Sequence, residues 1–132
     1  MEITVVVAII VLIGAIGTPA LLRRLDRSKV RHAASEIVSA LALARTTAIA
    51  RETRVAVIFD SARSAIIVAA GEDTLIARMV GDAYGVQLRS NRDSTVYGQA
   101  GLGYGAANQS VIISRGSAVD TVVISRLGRV RH

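Results

Sequence analysis

The first 22 positions and the remainder of the chain follow different patterns of apolar and polar residues. Residues 3–22, ITVVVAIIVLIGAIGTPALL, contain no charged side chain. A helical run of about 20 apolar residues matches the hydrocarbon thickness of a bilayer. Val and Ile dominate, and Gly14, Gly17 and Pro19 interrupt them. The β-branched residues do not argue against a helix there, because in lipid each backbone group must be satisfied inside the segment. Pro19 removes one donor and is expected to kink or loosen the helix. From residue 23 the pattern becomes amphipathic. Val30, Ala34, Ile37, Leu41, Ala44 and Ala48 recur at intervals of three and four, which is one face of an α-helix. No Gly or Pro occurs in 23–54, so Pro19 is the one stop signal between the two segments. The pattern predicts one helix of about 50 residues, roughly 75 Å long.

Beyond residue 54 the period shortens. Residues 54–59 are β-rich, 60–63 read as a turn, 65–68 as a strand and 71–73 as a second turn. Residues 75–80, 86–89, 95–97, 111–114 and 119–126 are further short strands. The stretch 98–105, with four glycines in eight residues, reads as a connection. Short strands separated by turns predict an antiparallel sheet or sandwich. The expected fold class is α+β: a long N-terminal helix, then a β-rich head. The expected division is 1–22 for the apolar half of the helix, 23–53 for the amphipathic half and 54–132 for the head.

Charge sharpens this division. The net charge is +6, of which 1–22 carry −1, 23–53 carry +4 and 54–132 carry +3. The amphipathic half opens on Arg23, Arg24, Arg27, Lys29 and Arg31 against one acid, Asp26. Fifteen of the sixteen basic residues are arginine, a ratio read as coding bias in a GC-rich genome rather than selection for phosphate contacts as a whole. There is no cysteine, which excludes disulfides, thiolate metal sites and a Cys nucleophile. The aromatics are Phe59, Tyr84, Tyr97 and Tyr104, so few platforms exist for stacking bases or sugars.

No catalytic constellation stands out. His32 and His132 are isolated, and no zincin, P-loop or nucleophile-elbow motif occurs. Gly101, Gly103 and Gly105 imitate a phosphate loop only loosely, lacking the Lys-Ser/Thr and the helix that would follow. Glu72 and Asp73 fall in a turn rather than a metal set. Enzyme activity, a metal and a cofactor are therefore not expected. A cleaved signal peptide would open on positive charge and have a shorter apolar core; Met1 and Glu2 open this chain instead, and the run is long.

An apolar helix, an amphipathic helix and a β-head in that order resemble a type IV pilin. Glu2 at the head of the apolar run, with Pro19 seventeen residues later, is similar to the glutamate and helix-loosening proline of pilin-like proteins. The helix exit at 19–31, the Ala-rich stretch 33–54 with Arg45 and Arg51, and the ending Ile124, Ser125, Arg126, Leu127, Gly128, Arg129, Val130, Arg131 resemble the GspH/FimT branch. The resemblance implies a minor pilin or pseudopilin of a type II secretion system or type IV pilus. It implies other pilin-like subunits as partners and a single-pass inner-membrane anchor with the β-head outside the cytoplasm. It also implies a basic leader ending in Gly, cut by a prepilin peptidase that methylates the new N-terminus. Met1 and Glu2 lead straight into the apolar run, so that leader and the first few mature residues are expected upstream.

The resemblance gives roles to particular residues. Glu2 would pair with the N-terminal amine of a neighbouring subunit in the filament, and Pro19 would loosen the helix for assembly. FimT-like pilins carry a Gly-Arg-x-Arg ending that contacts DNA during transformation, so Arg126, Gly128, Arg129 and Arg131 are the candidate contacts to double-stranded DNA. Arg129 and Arg131 fall on one side of an extended segment. The alternative is a solvated end that keeps the head soluble. Orientation is contested: the positive-inside rule would hold 23–31 in the cytoplasm, whereas the resemblance puts it outside. A rival class is a membrane-tethered sensor or ligand-binding domain unrelated to filaments.

Overall fold

In the computed structural model, residues 2–104 and 108–132 are described. Helix α1 (Glu2–Ala50) is continuous over 49 residues. It passes Pro19 without a break in the helical path. Pro19 has no N–H for the carbonyl one turn back, and the adjacent Thr18 hydroxyl donates to the Gly14 carbonyl. The proline thus removes one rung of the ladder and leaves the helix intact. Its C-terminal half buries Val30, Ala34, Ile37, Leu41, Ala44 and Ala48, together with Ala33 and Ala40. The five alanines keep that face shallow, so the helix backbone lies close to the sheets. The N-terminal half buries nothing: residues 2–25 are all exposed. Among the described residues, α1 is the one helix long and apolar enough to cross a membrane.

The helix ends earlier than its composition suggests. Thr53 N–H donates to Ala48 O at 3.2 Å and Glu52 N–H to Ile49 O at 3.3 Å, with Glu52 left-handed at φ +49°. This is a Schellman-type closure with Glu where glycine is usual. No glycine marks the stop, so the sequence overran it by a few residues.

The head follows as β1 (Val55–Asp60), β2 (Ala65–Ala70), β3 (Asp73–Arg78), α2 (Val80–Tyr84), β4 (Gln87–Ser90), β5 (Ser94–Tyr97), β6 (Gly103–Tyr104), β7 (Gln109–Arg115), β8 (Ala118–Ile124) and β9 (Val130–Arg131). They form two antiparallel sheets, ordered β3-β2-β1-β5-β6 and β4-β7-β8-β9. Alternation selects the inner faces: Val55, Val57 and Phe59 on β1, and Gln109, Val111 and Ile113 on β7, are buried. The amphipathic half of α1 lies across both sheets, touching β1, β2 and β5 of one and β7 and β8 of the other.

Several expected boundaries move. The strand expected at 75–80 is β3, which ends at Arg78, and Val80 instead opens α2. The turn expected to include Asp73 is shorter, since Asp73 already pairs with Ala70. The strand expected at 119–126 stops at Ile124. The glycine-rich connection at 98–105 contains the short β6, while Gly105 lies outside the described residues.

Candidate functional site: an uncovered helix and an arginine hairpin

Two features stand apart from the packed head. The first is the bare half of α1. Ile3, Ile10, Val11, Leu12, Ile13 and Ile16 are each more than 60% exposed, which no water-facing helix would sustain. Glu2 lies at the head of this apolar stretch. Pro19 lies near the far end of the same stretch. The structure therefore puts Glu2 and Pro19 on one exposed apolar rod, remote from the sheets.

The second feature is the β8–β9 hairpin. Ile124 pairs with Val130 and Val123 with Arg131. The loop closes through three bonds: Ser125 N–H to Arg129 O at 2.7 Å, Gly128 N–H to Ser125 O at 2.8 Å, and Arg129 N–H to Ser125 Oγ at 3.0 Å. Three residues, 126–128, remain in the loop, and the last is left-handed at φ +77°. This is the common three-residue hairpin connection, which calls for glycine at that place. Gly128 is buried. A Cβ there would lie 2.8 Å from Tyr97 Cε1 and 3.2 Å from Gly103 N, so its bareness lets the second sheet's last hairpin seat against the first sheet.

The hairpin presents arginines outward. Arg126, Arg129 and Arg131 are exposed, while Val130 between the last two is half-buried and opposite the buried Ile124. The three arginines border a shallow cleft of about 310 Å³ with Asn108 and Leu127. Asn108 Oδ1 accepts from Arg126 N–H at 3.1 Å and fixes the loop. Among the described residues, none of these guanidinium groups makes an ion pair or side-chain hydrogen bond.

Other arginines are committed, a distinction the sequence did not reveal. Arg115 Nε bonds Asp26 Oδ1 at 2.8 Å, and its Nη1 donates to the carbonyls of Tyr84 at 2.6 Å and Gly85 at 3.0 Å. It ties α1 to β7 and caps the carbonyl end of α2. Arg54 lies 4.5 Å over the Tyr104 ring and also bonds its hydroxyl. Behind the hairpin, Tyr97 is fully buried, and among the described residues its hydroxyl has no hydrogen-bond partner. Burial raises its pKa above the ordinary phenol value, and the Arg45 charge partly offsets this.

A helix half exposed and half packed on two antiparallel sheets is a pilin-like architecture. The sequence matches the family described as Type II transport protein GspH over residues 33–128. That is most of the chain, and it belongs to this family. The match begins after the basic segment and ends at Gly128, ahead of Arg129 and Arg131. The fold is similar to that of the type IV minor pilin FimU of Pseudomonas aeruginosa. One crystal form aligns at 16% identity and TM-score 0.67, covering 80% of this chain and 88% of that one. A second crystal form aligns at 13% identity and TM-score 0.63, covering 76% and 90%. Comparison with curated proteins finds no match.

Proposed function

We propose that this chain is a minor, membrane-anchored subunit of a type IV filament system, either a type II secretion pseudopilus or a type IV pilus. The observation that carries this reading is the bare apolar half of α1, continuous with a helix already packed into a pilin-like head. That surface suits two environments in turn, the bilayer before assembly and the filament core afterwards. Residues 1–22 are the shared anchor and core segment, 23–53 brace the head and 54–132 are the exported part. Glu2 and Pro19 serve assembly, other pilin-like subunits are the partners, and a prepilin peptidase processes the precursor in the inner membrane. The head lies outside the cytoplasm.

The chain has no cysteine, which makes the test direct. An Ile10→Cys variant, oxidised in cells that carry the pilin-like subunits with matching cysteines, should form disulfide-linked species with them. A folded variant that stays monomeric under oxidation would support the membrane-tethered sensor instead.

A second reading, DNA uptake, rests on the three unpaired arginines of the hairpin. A DNA-binding minor pilin would use Arg126, Arg129 and Arg131 as phosphate contacts, presented by the loop that Gly128 closes. No recognition helix is available, so binding would be sequence-independent. A soluble segment spanning 26–132 keeps the Asp26–Arg115 bond. It should bind duplex DNA at micromolar strength or weaker, with a log–log salt slope of about −3 from the hairpin's three contacts, to which the basic stretch 27–31 in the same segment adds any contacts of its own. Arg129→Gln with Arg131→Gln should reduce that slope by about two. If the double variant titrates DNA like its parent, the arginines are a solvated surface and the secretion reading gains.

A further inference from the structure

We infer that the cleft between the basic start of the amphipathic half of α1 and the β7–β8 hairpin docks the phosphodiester headgroup of an anionic phospholipid. This rests on the reading that residues 3–22 occupy a bilayer. Arg27 and Arg31, one helical turn apart, form one wall of a cleft of about 430 Å³. Ser117, Val119 and Asp120 form the other. Arg24 precedes Arg27 by three residues on the same helix face, so the cationic stripe continues towards the apolar run.

The cations are available. Arg23, Arg24, Arg27, Lys29 and Arg31 are exposed, and among the described residues none makes an ion pair. Of the neighbouring acids, Asp26 is paired with an arginine, and Asp120, which lines the cleft, is held by hydrogen bonds. Asp26 is held by Arg115 at 2.8 Å. Asp120 Oδ2 meets His132 Nε2 at 2.9 Å, and its Oδ1 accepts from Thr121 N–H at 2.8 Å. The Asp26–Arg115 bond joins α1 to the end of β7, so the two walls are held together before any ligand arrives.

Height along the helix selects the ligand. With Leu22 at the hydrocarbon edge and the helix upright, Arg27 stands about 7 Å above it and Arg31 about 13 Å. The headgroup layer is about 5–8 Å deep on each side. Arginine stems reach down towards a polar layer while their heads stay solvated, so Arg27 is level with lipid phosphates and Arg31 meets them from above. Val119, 63% exposed, is an apolar member of the opposite wall. The placement holds on either side of the membrane, because anionic headgroups supply the counter-charge that this collar lacks within the chain.

The test uses the full chain with Thr121→Cys, its single cysteine, exposed just outside the cleft and carrying an environment-sensitive dye, in neutral detergent micelles. Phosphatidylglycerol should give a saturable response and phosphatidylcholine none. Each basic side chain near an anionic surface strengthens attraction about five-fold wherever it sits, so Arg27→Gln with Arg31→Gln, which also removes the cleft wall, should raise the half-saturating mole fraction by more than about 25-fold. Lys29 sits about 200° round the helix from Arg27 at a similar height, so Lys29→Gln should lose only that five-fold and weaken the response less than Arg27→Gln alone. Equal responses to the two lipids, or equal weakening by Lys29→Gln, would overturn the cleft assignment. So would duplex DNA that saturates the label at the same phosphate concentration as phosphatidylglycerol. Flotation of the unlabelled chain with phosphatidylcholine vesicles separates the two levels: failure to float sinks the anchor reading, and flotation without a phosphatidylglycerol response sinks the headgroup site alone.

Discussion

A Glu2→Leu variant, expressed behind a basic leader ending in Gly, is expected to reach the membrane at the parent's level and be depleted from filaments about a hundred-fold or more. Glu2 opens a helix whose next charged side chain is Arg23, 21 residues on and about 31 Å along the axis. A carboxylate taken into an apolar core at that point must find its counter-charge on another chain, because an unpaired charge there costs several kcal/mol. The pairing proposed is with a neighbour's N-terminal amine. Removing one member of a buried pair strands the other and costs about 3–5 kcal/mol. At about 1.4 kcal/mol per factor of ten, that is roughly two to three and a half decades in incorporation. Leucine raises the hydrophobicity of the run, so the membrane pool should not shrink. Quantifying the variant in membrane and sheared-filament fractions checks both halves of the expectation. Incorporation at the parent's level would remove Glu2 from the assembly mechanism.

The long helix was legible because two strong signals coincide in it. An uncharged run and a 3.6-residue period are each set by many residues, and all six positions picked from the period are buried. Its end was not, since Glu52 takes the left-handed place that glycine would have advertised. The short elements were lost for a related reason. The five residues of α2 are too few to show a period, and Val80 looked like a continuation of the strand before it. Two-residue strands such as β6 and β9 are defined by their partners rather than by their own composition. The arginines show the limit most clearly. Arg115 and Arg129 look alike in the sequence, yet one is tied to Asp26 and two carbonyls and the other projects from a hairpin. Only the tertiary fold decides which charges are already committed, and so which remain for a partner.

The arginine hairpin should depend more on Gly128 than on any arginine in it. Gly128→Ala is expected to destabilise the folded head by about 3 kcal/mol, from two separable causes. A residue with a Cβ in the left-handed region costs roughly 1–2 kcal/mol. Here the added carbon would also sit 2.8 Å from Tyr97 Cε1 and 3.2 Å from Gly103 N. Tyr97 is fully buried and cannot swing aside, so the hairpin must lift away, an overpacking cost of about 1–3 kcal/mol. Gly71 supplies the control: it is also left-handed, at φ +65°, but nothing lies within 4 Å of its hypothetical Cβ. Gly71→Ala should therefore show the backbone cost alone, about 1–2 kcal/mol. For a domain of this size the difference between the two variants should be roughly 5–15 °C in Tm, measured by circular dichroism on the full chain in micelles. Equal shifts would mean that the Tyr97 contact contributes nothing and that the loop tolerates a side chain. If Gly128→Ala is the more damaging and also weakens DNA binding while Arg126, Arg129 and Arg131 are all retained, then the hairpin's shape, and not its charge alone, presents the cations.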